Sequence, residues 1–175
     1  MPSGLGVAGL TLDDRERAVS SAQSAWPDLA GRLINGPDGA NAHLLPVRVY
    51  FEDTDFTGVV YHATYLRWCE RGRSDFLRLL GNDHQALLEG KDGVPAAFVV
   101  RRMNLDYRKP ARIDDVLEVT TLVDTMSAAI LTLEQTITRE GAKIFAARVE
   151  IVLVSLDGKP QRLTTRLRDI LSPET

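Results

Sequence analysis

Val49-Tyr-Phe51-Glu-Asp53-Thr-Asp55-Phe-Thr-Gly58-Val-Val60-Tyr61-His62-Ala-Thr-Tyr65-Leu-Arg-Trp68-Cys69-Glu70-Arg-Gly-Arg73 decides the fold, because it sets a carboxylate between a strand and a long helix. Leu45 to Phe51 reads as a strand. From about His62 to Leu80 the apolar residues Tyr65, Leu66, Trp68, Cys69, Phe76, Leu77 and Leu80 recur at roughly helical spacing. Asp55 then sits in the turn between them, and Gly58 supplies the backbone freedom of a tight connection. The first N–H groups of the helix have no intrahelical acceptor, so they can hold a developing oxyanion. A carboxylate facing that helix end is stabilised in its charged form by up to ~1 kcal/mol, which favours a base or nucleophile over a proton donor.

Beyond Pro95 the chain turns into strand material: Ala96 to Leu105, Val116 to Thr125, Ala128 to Arg139 and Lys143 to Ser155. Turn signals at Asp114-Asp115, Met126-Ser127, Glu140-Gly141 and Asp157-Gly158 separate them. The third alternates, with Leu131, Leu133, Gln135 and Ile137 opposing Ile130, Thr132, Glu134, Thr136 and Thr138, so one of its faces is polar. Five antiparallel strands with one long helix between the first and second give an α+β fold, a sheet wrapped around a helix that covers its apolar face. A short closing helix is expected over Thr164 to Leu171, capped by Thr164 or Thr165.

The 175 residues suit one domain, and 44% hydrophobic composition suits an ordinary core. Residues 1–42 differ in character, rich in Gly, Ala and Ser, with an amphipathic helix conceivable over Leu12 to Ala25; they read as an extension, and residues 43–175 as the domain. No run approaches the ~20 apolar residues of a membrane span, and the N-terminus lacks a basic start followed by an apolar stretch, so a cytoplasmic protein is expected. A net charge of −3 gives no general attraction to nucleic acid. Cys69, alone of its kind, reads as a packed residue. His43 and His84 carry no motif, no Cys or His recurs at ligand spacing, and no metal site is expected.

Asp53, Asp55, Gly58, Val60, Tyr61, His62, Tyr65 and Glu70 together resemble the signature of hotdog-fold acyl-CoA thioesterases of the 4-hydroxybenzoyl-CoA thioesterase family. The run is most similar to that of the group associated with the Tol-Pal envelope system. A second stretch, Val99-Val-Arg101-Arg102-Met103-Asn-Leu-Asp106-Tyr-Arg108-Lys109-Pro110-Ala-Arg112-Ile-Asp-Asp115, resembles the family's second strand and following turn. The resemblance spans about Leu44 to Leu171.

It implies a hotdog fold and hydrolysis of an acyl-CoA or acyl-carrier-protein thioester to acid and thiol, without metal or redox cofactor. Asp55 is then nucleophile or general base. The oxyanion is met by backbone amides at Val60, Tyr61 and His62, and the His62 imidazole is a candidate to position water or polarise Asp55. Asp53, Gly58, Tyr65 and Glu70 are support, although Asp55 also suits an Asx turn and Glu70 a buried pair with Arg73 or an arginine elsewhere. Coenzyme A carries several phosphates, for which Arg101, Arg102, Arg108, Lys109 and Arg112 are candidates, the last turn pair Lys109 and Arg112 foremost. Phe51 stands where many such proteins carry a tyrosine. Trp68, Phe98 and Met103 are candidates to line the acyl tunnel or, more simply, the core. The resemblance further implies a homodimer or homotetramer. Two other classes stay open: a hotdog dehydratase or hydratase using Asp55 with His62, and a non-catalytic thioester-binding or scaffold protein.

Overall fold

In the computed structural model, which describes residues 30–172 apart from Asp83 and Asp92, six strands make one antiparallel sheet. They are β1 (Arg32–Asn35), β2 (Asn41–Arg48), β3 (Ala96–Tyr107), β4 (Val116–Met126), β5 (Ile130–Arg139) and β6 (Ala142–Ser155), in the spatial order β1-β2-β4-β5-β6-β3. Helix α1 (His62–Leu79) lies against the sheet, followed by the short α2 (His84–Leu88) and, after β6, α3 (Thr165–Leu171). Thr164 caps α3 by accepting from the Leu167 N–H at 3.2 Å.

The sheet has one strand more than the sequence pattern suggests. β1 lies inside the segment assigned to the extension, and its residues pair with β2 from Arg32 opposite Leu44 to Asn35 opposite Asn41. Residues from 32 onward thus join the sheet; the helix considered over Leu12 to Ala25 lies outside the described residues. β2 itself runs over Asn41–Arg48 and stops short of Phe51, because Phe51–Asp53 curl into a 3-10 turn. The Asp53 carboxylate drives the curl by accepting from the Tyr50 N–H at 2.9 Å, a local bond that competes with the strand ladder.

The buried face of α1 is Tyr65, Trp68, Cys69, Gly72, Phe76 and Leu77, spaced by three and four residues. Gly72 permits the helix to approach β4 closely: a Cβ there would stand 3.1 Å from Thr121 Oγ1 and 3.4 Å from a Val119 methyl. Leu131, Leu133, Gln135 and Ile137 of β5 are all buried beneath it, as the alternation requires. Gln135 is the polar member of that face. Its amide donates to the Cys69 carbonyl and to Thr121 Oγ1, both at 2.8 Å, and its oxygen accepts from Arg73 Nη1 at 2.8 Å. Burial pushes the Cys69 thiol up to about 12, as suits an inert packed residue.

On β2, His43 is fully buried, stacked on Phe76 with ring centroids 5.8 Å apart, and its Nε2 lies 2.8 Å from Asp75 Oδ2. Burial holds its pKa below the ordinary 6.5 although the Asp75 hydrogen bond pulls the other way, and Nδ1 has no partner among the described residues. The native state therefore prefers the neutral ring, and the stability this contributes is present above pH 6.5 and lost as pH falls through the folded pKa. Burial raises the Asp75 pKa, but hydrogen bonds from Arg78 and His43 outweigh it and the net shift is downward, so loss from Asp75 starts only at still lower pH. Thermal melts should show Tm declining from pH 7 towards pH 5, with His43→Gln flattening that slope; an unchanged slope in the variant would remove His43 as its cause.

Candidate active site

Between β2 and α1 the chain makes a miniature hairpin. Thr54 bridges Val60, the Asp55 N–H donates to the Val59 carbonyl at 2.9 Å, and the Gly58 N–H donates to the Asp55 carbonyl at 3.0 Å. Gly58 has φ +75°, the left-handed residue that completes such a three-residue loop. Asp55 is at the tip, exposed. Its Oδ1 accepts from the Thr57 hydroxyl at 2.6 Å and the Thr57 N–H at 2.8 Å, an Asx turn. The Thr57 side-chain and backbone hydrogen bonds hold the carboxyl below its usual range, and Oδ2 has no partner among the described residues.

The hairpin is anchored by a loop about fifty residues further along the chain. The Val60 N–H donates to the Ala111 carbonyl at 2.9 Å, Val59 bridges Arg112, and the Ala111 N–H donates to the Tyr65 hydroxyl at 3.0 Å. The 110–115 loop is braced by Asp115, whose Oδ2 accepts from the Arg112 N–H at 2.9 Å and from Arg139 at 2.5 Å. Tyr65 stacks on Phe145 at 5.3 Å, and the Tyr107 hydroxyl donates to the His62 carbonyl at 3.0 Å, tying β3 to the helix start.

This anchoring corrects the expected oxyanion donors. The Val60 amide is committed to Ala111, and the Tyr61 amide to the Asp53 carbonyl at 2.9 Å. The first-turn amides with no acceptor among the described residues are those of His62 and Ala63. The His62 imidazole lies against the Tyr61 ring at 4.3 Å, and among the described residues makes no hydrogen bond to Asp55. Asp53 and Tyr65 both act on backbone around Asp55. Glu70 does not pair with Arg73: it is exposed and its Oε1 accepts from Ser74 Oγ at 2.6 Å, while Arg73 turns to Gln135.

The five cations divide. A β-bulge between Val100 and Arg102 brings Arg101 and Arg102 together on Glu150, at 3.5 and 3.7 Å, about 17 Å along β3 from Tyr107. Arg108 pairs with Asp106 at 2.7 Å. Lys109 lies in the hollow that His62, Val59 and Tyr107 share, and neither its side chain nor that of Arg112 has an ion-pair partner among the described residues. Phe51 is 82% exposed and Trp68 is core, whereas Phe98 and Met103 line hollows beside α1. Among the described residues no group of three or more His, Cys, Asp or Glu is placed to hold a metal ion, and no helix is long and apolar enough to cross a membrane. Thr57 and Tyr107 were not among the expected site residues. The Asp-x-Thr spacing is an Asx signal that points to Thr57; nothing local points to Tyr107, 45 residues from its acceptor.

Residues 57–146 match the family model of the thioesterase superfamily. The chain is 42% identical over 116 residues to an acyl-CoA thioesterase, YbgC, of Haemophilus influenzae, spanning 66% of this chain and 83% of that one. It is 43% identical over 120 residues to an acyl-CoA thioester hydrolase YbgC of Escherichia coli O6:H1, spanning 67% and 87%. Among solved structures, a probable thioesterase from Bartonella henselae superposes with a TM-score of 0.68 at 43% identity, covering 70% of this chain and 98% of the other. With the sheet order, the central helix and the Asp55 hairpin in place, this chain belongs to the thioesterase superfamily and has its hotdog fold.

Proposed function

We propose that the protein hydrolyses an acyl-CoA thioester to free acid and coenzyme A, with Asp55 as the reacting carboxylate. The observation that carries this reading is an exposed Asp55 carboxylate, held to Thr57 through Oδ1 alone, on the hairpin that leads directly into α1, in a chain of this superfamily. The thioester carbonyl would lie against the His62 and Ala63 amides. Asp55 would then attack it, breaking the C–S bond to release coenzyme A as thiolate and leaving a mixed anhydride that water hydrolyses to the acid, or would deprotonate a water that attacks and expels the same thiolate; either way the negative charge develops on the carbonyl oxygen at the helix start. The carboxylate's lowered pKa suits both routes and excludes it as a proton donor at neutral pH. Thiol release from a panel of short, long and aromatic acyl-CoA substrates tests the reading. Release in step with acid formation supports hydrolysis, whereas an absorbance change in an enoyl thioester without free thiol would indicate a dehydratase.

Lys109 and Arg112 are the cations we assign to the coenzyme's phosphates, since they flank the hairpin with their charges uncommitted. Lys109→Ala with Arg112→Ala should raise KM for acyl-CoA about tenfold, the worth of one charged hydrogen bond, with kcat nearly unchanged. The same thioester on N-acetylcysteamine, which lacks phosphates, should show no change; equal losses on both carriers would rule the assignment out.

A second copy of the chain is the natural cover for β3. Among the described residues this 12-residue strand pairs only with β6, and Val99, Val100, Leu105 and Tyr107 are exposed along it. Sedimentation should find the 19.3 kDa chain as a dimer or a larger even assembly; a monomer at micromolar concentration would refute this.

A further inference from the structure

One stripe of α1 runs on from the reacting end of the helix. His62, Leu66, Glu70, Arg73 and Leu77 recur at three- and four-residue spacing and share a helix face. Three hollows lie along it towards β3. Tyr107 stands with His62 in the first, Met103 with Leu66 in the second, and Phe98 and Val100 with Leu77 in the third. The third is a cavity of about 140 Å³. An engineered cavity of about 150 Å³ in another protein holds benzene, so the space suits the end of an apolar chain.

Glu70 and Arg73 line both the second and the third hollow. Ser74 gives its proton to Glu70 Oε1 at 2.6 Å, so its oxygen accepts from His84 Nε2 at 2.9 Å; these two side chains satisfy one another. Arg67 and Arg71 join Glu70 and Arg73 in the second hollow, whereas in the third, whose other polar side chains are Ser74 and His84, what remains open is an acceptor and a donor. Glu70 Oε2 has no partner among the described residues, and the half-buried Arg73 guanidinium gives one N–H to Gln135 and forms no ion pair among them. Glu70 would repel a carboxylate in this position, and Arg73 an ammonium. A ketone answers only Arg73, and a methylene answers neither. A hydroxyl donates to Glu70 and accepts from Arg73.

We infer, on the reading that the protein is a thioesterase, that the groove selects an acyl chain carrying a distal hydroxyl held between Glu70 and Arg73. At ~1.5 Å per residue these two stand about 12–16 Å along α1 from His62. An extended chain covers that in about 10–14 bonds, taking roughly 1.15 Å per bond from an extended backbone. The hydroxyl therefore belongs near the far end of a medium-length acyl group, a class that a purely apolar tunnel would reject.

Dodecanoyl-CoA and 12-hydroxydodecanoyl-CoA separate the possibilities, with calorimetric binding of the two free acids as a second readout. The expected result is a preference for the hydroxyacyl substrate of about tenfold in kcat/KM, falling towards one in Glu70→Ala. The exposed position of Glu70 suits that variant to folding, and a merely structural residue would depress both substrates alike. A wild-type ratio near one in turnover and in binding overturns the inference while leaving the hydrolase reading intact. Preferential binding of the hydroxy acid with no turnover of any acyl-CoA keeps the groove's selectivity and overturns the hydrolase reading.

Discussion

Asp55→Asn is expected to lower thioester turnover by about 10²- to 10⁴-fold, the range of a positioned acid–base group, with the fold intact. Asparagine is the informative substitution because its side-chain oxygen can still accept from the Thr57 N–H and keep the Asx turn. Loss in Asn as well as Ala therefore assigns the defect to the missing charge. Activity surviving in Asn but lost in Ala would make Asp55 a turn residue and end its catalytic role. The pH profile adds an independent check. Since the Thr57 hydrogen bonds hold the carboxyl low, kcat should stay level into acid until Asp55 protonates below its ordinary value. Thr57→Val removes the 2.6 Å bond and should move that acid limb to higher pH. A limb that stays in place would separate the profile from Asp55.

Gln135→Leu is expected to destabilise the protein by about 2–4 kcal/mol, the cost of stranding a charged donor and a buried hydroxyl. The leucine fits the apolar neighbours Leu133 and Ile137 but strands the half-buried Arg73 guanidinium and removes the donor that Thr121 Oγ1 accepts from. For a chain of this size the loss lowers Tm by roughly 5–15 °C. Arg73→Met added to Gln135→Leu should recover part of it, since deleting both partners costs less than orphaning one. Strict additivity in the double-mutant cycle would show that the two side chains are not coupled.

The strand-to-helix junction around Asp55 was readable because the helical period of Tyr65, Trp68, Cys69 and Phe76 and the placement of Gly58 are local signals. The end of β2 was not, since the Asp53 bond to the Tyr50 N–H is a polar competition that hydrophobic patterning does not register. β1 escaped because Arg32 to Asn35 is too short to show a period and owes its conformation to the edge of β2. The committed amides of Val60 and Tyr61 depended in one case on Ala111, about fifty residues away. Clustered arginines were visible as charge, but a single bulge sent Arg101 and Arg102 to Glu150 and left Lys109 and Arg112 beside the hairpin. Gln135 was visible as a polar residue on an apolar face; that it joins helix to sheet was not.

The chain's single cysteine is sealed on the sheet-facing side of the helix, and burial raises its thiol pKa to about 12. In the folded state Cys69 is thus shielded from the dye, and colour reports thiol released from the substrate. Labelling of Cys69 in the absence of substrate then serves as a clock for how often α1 lifts from the sheet.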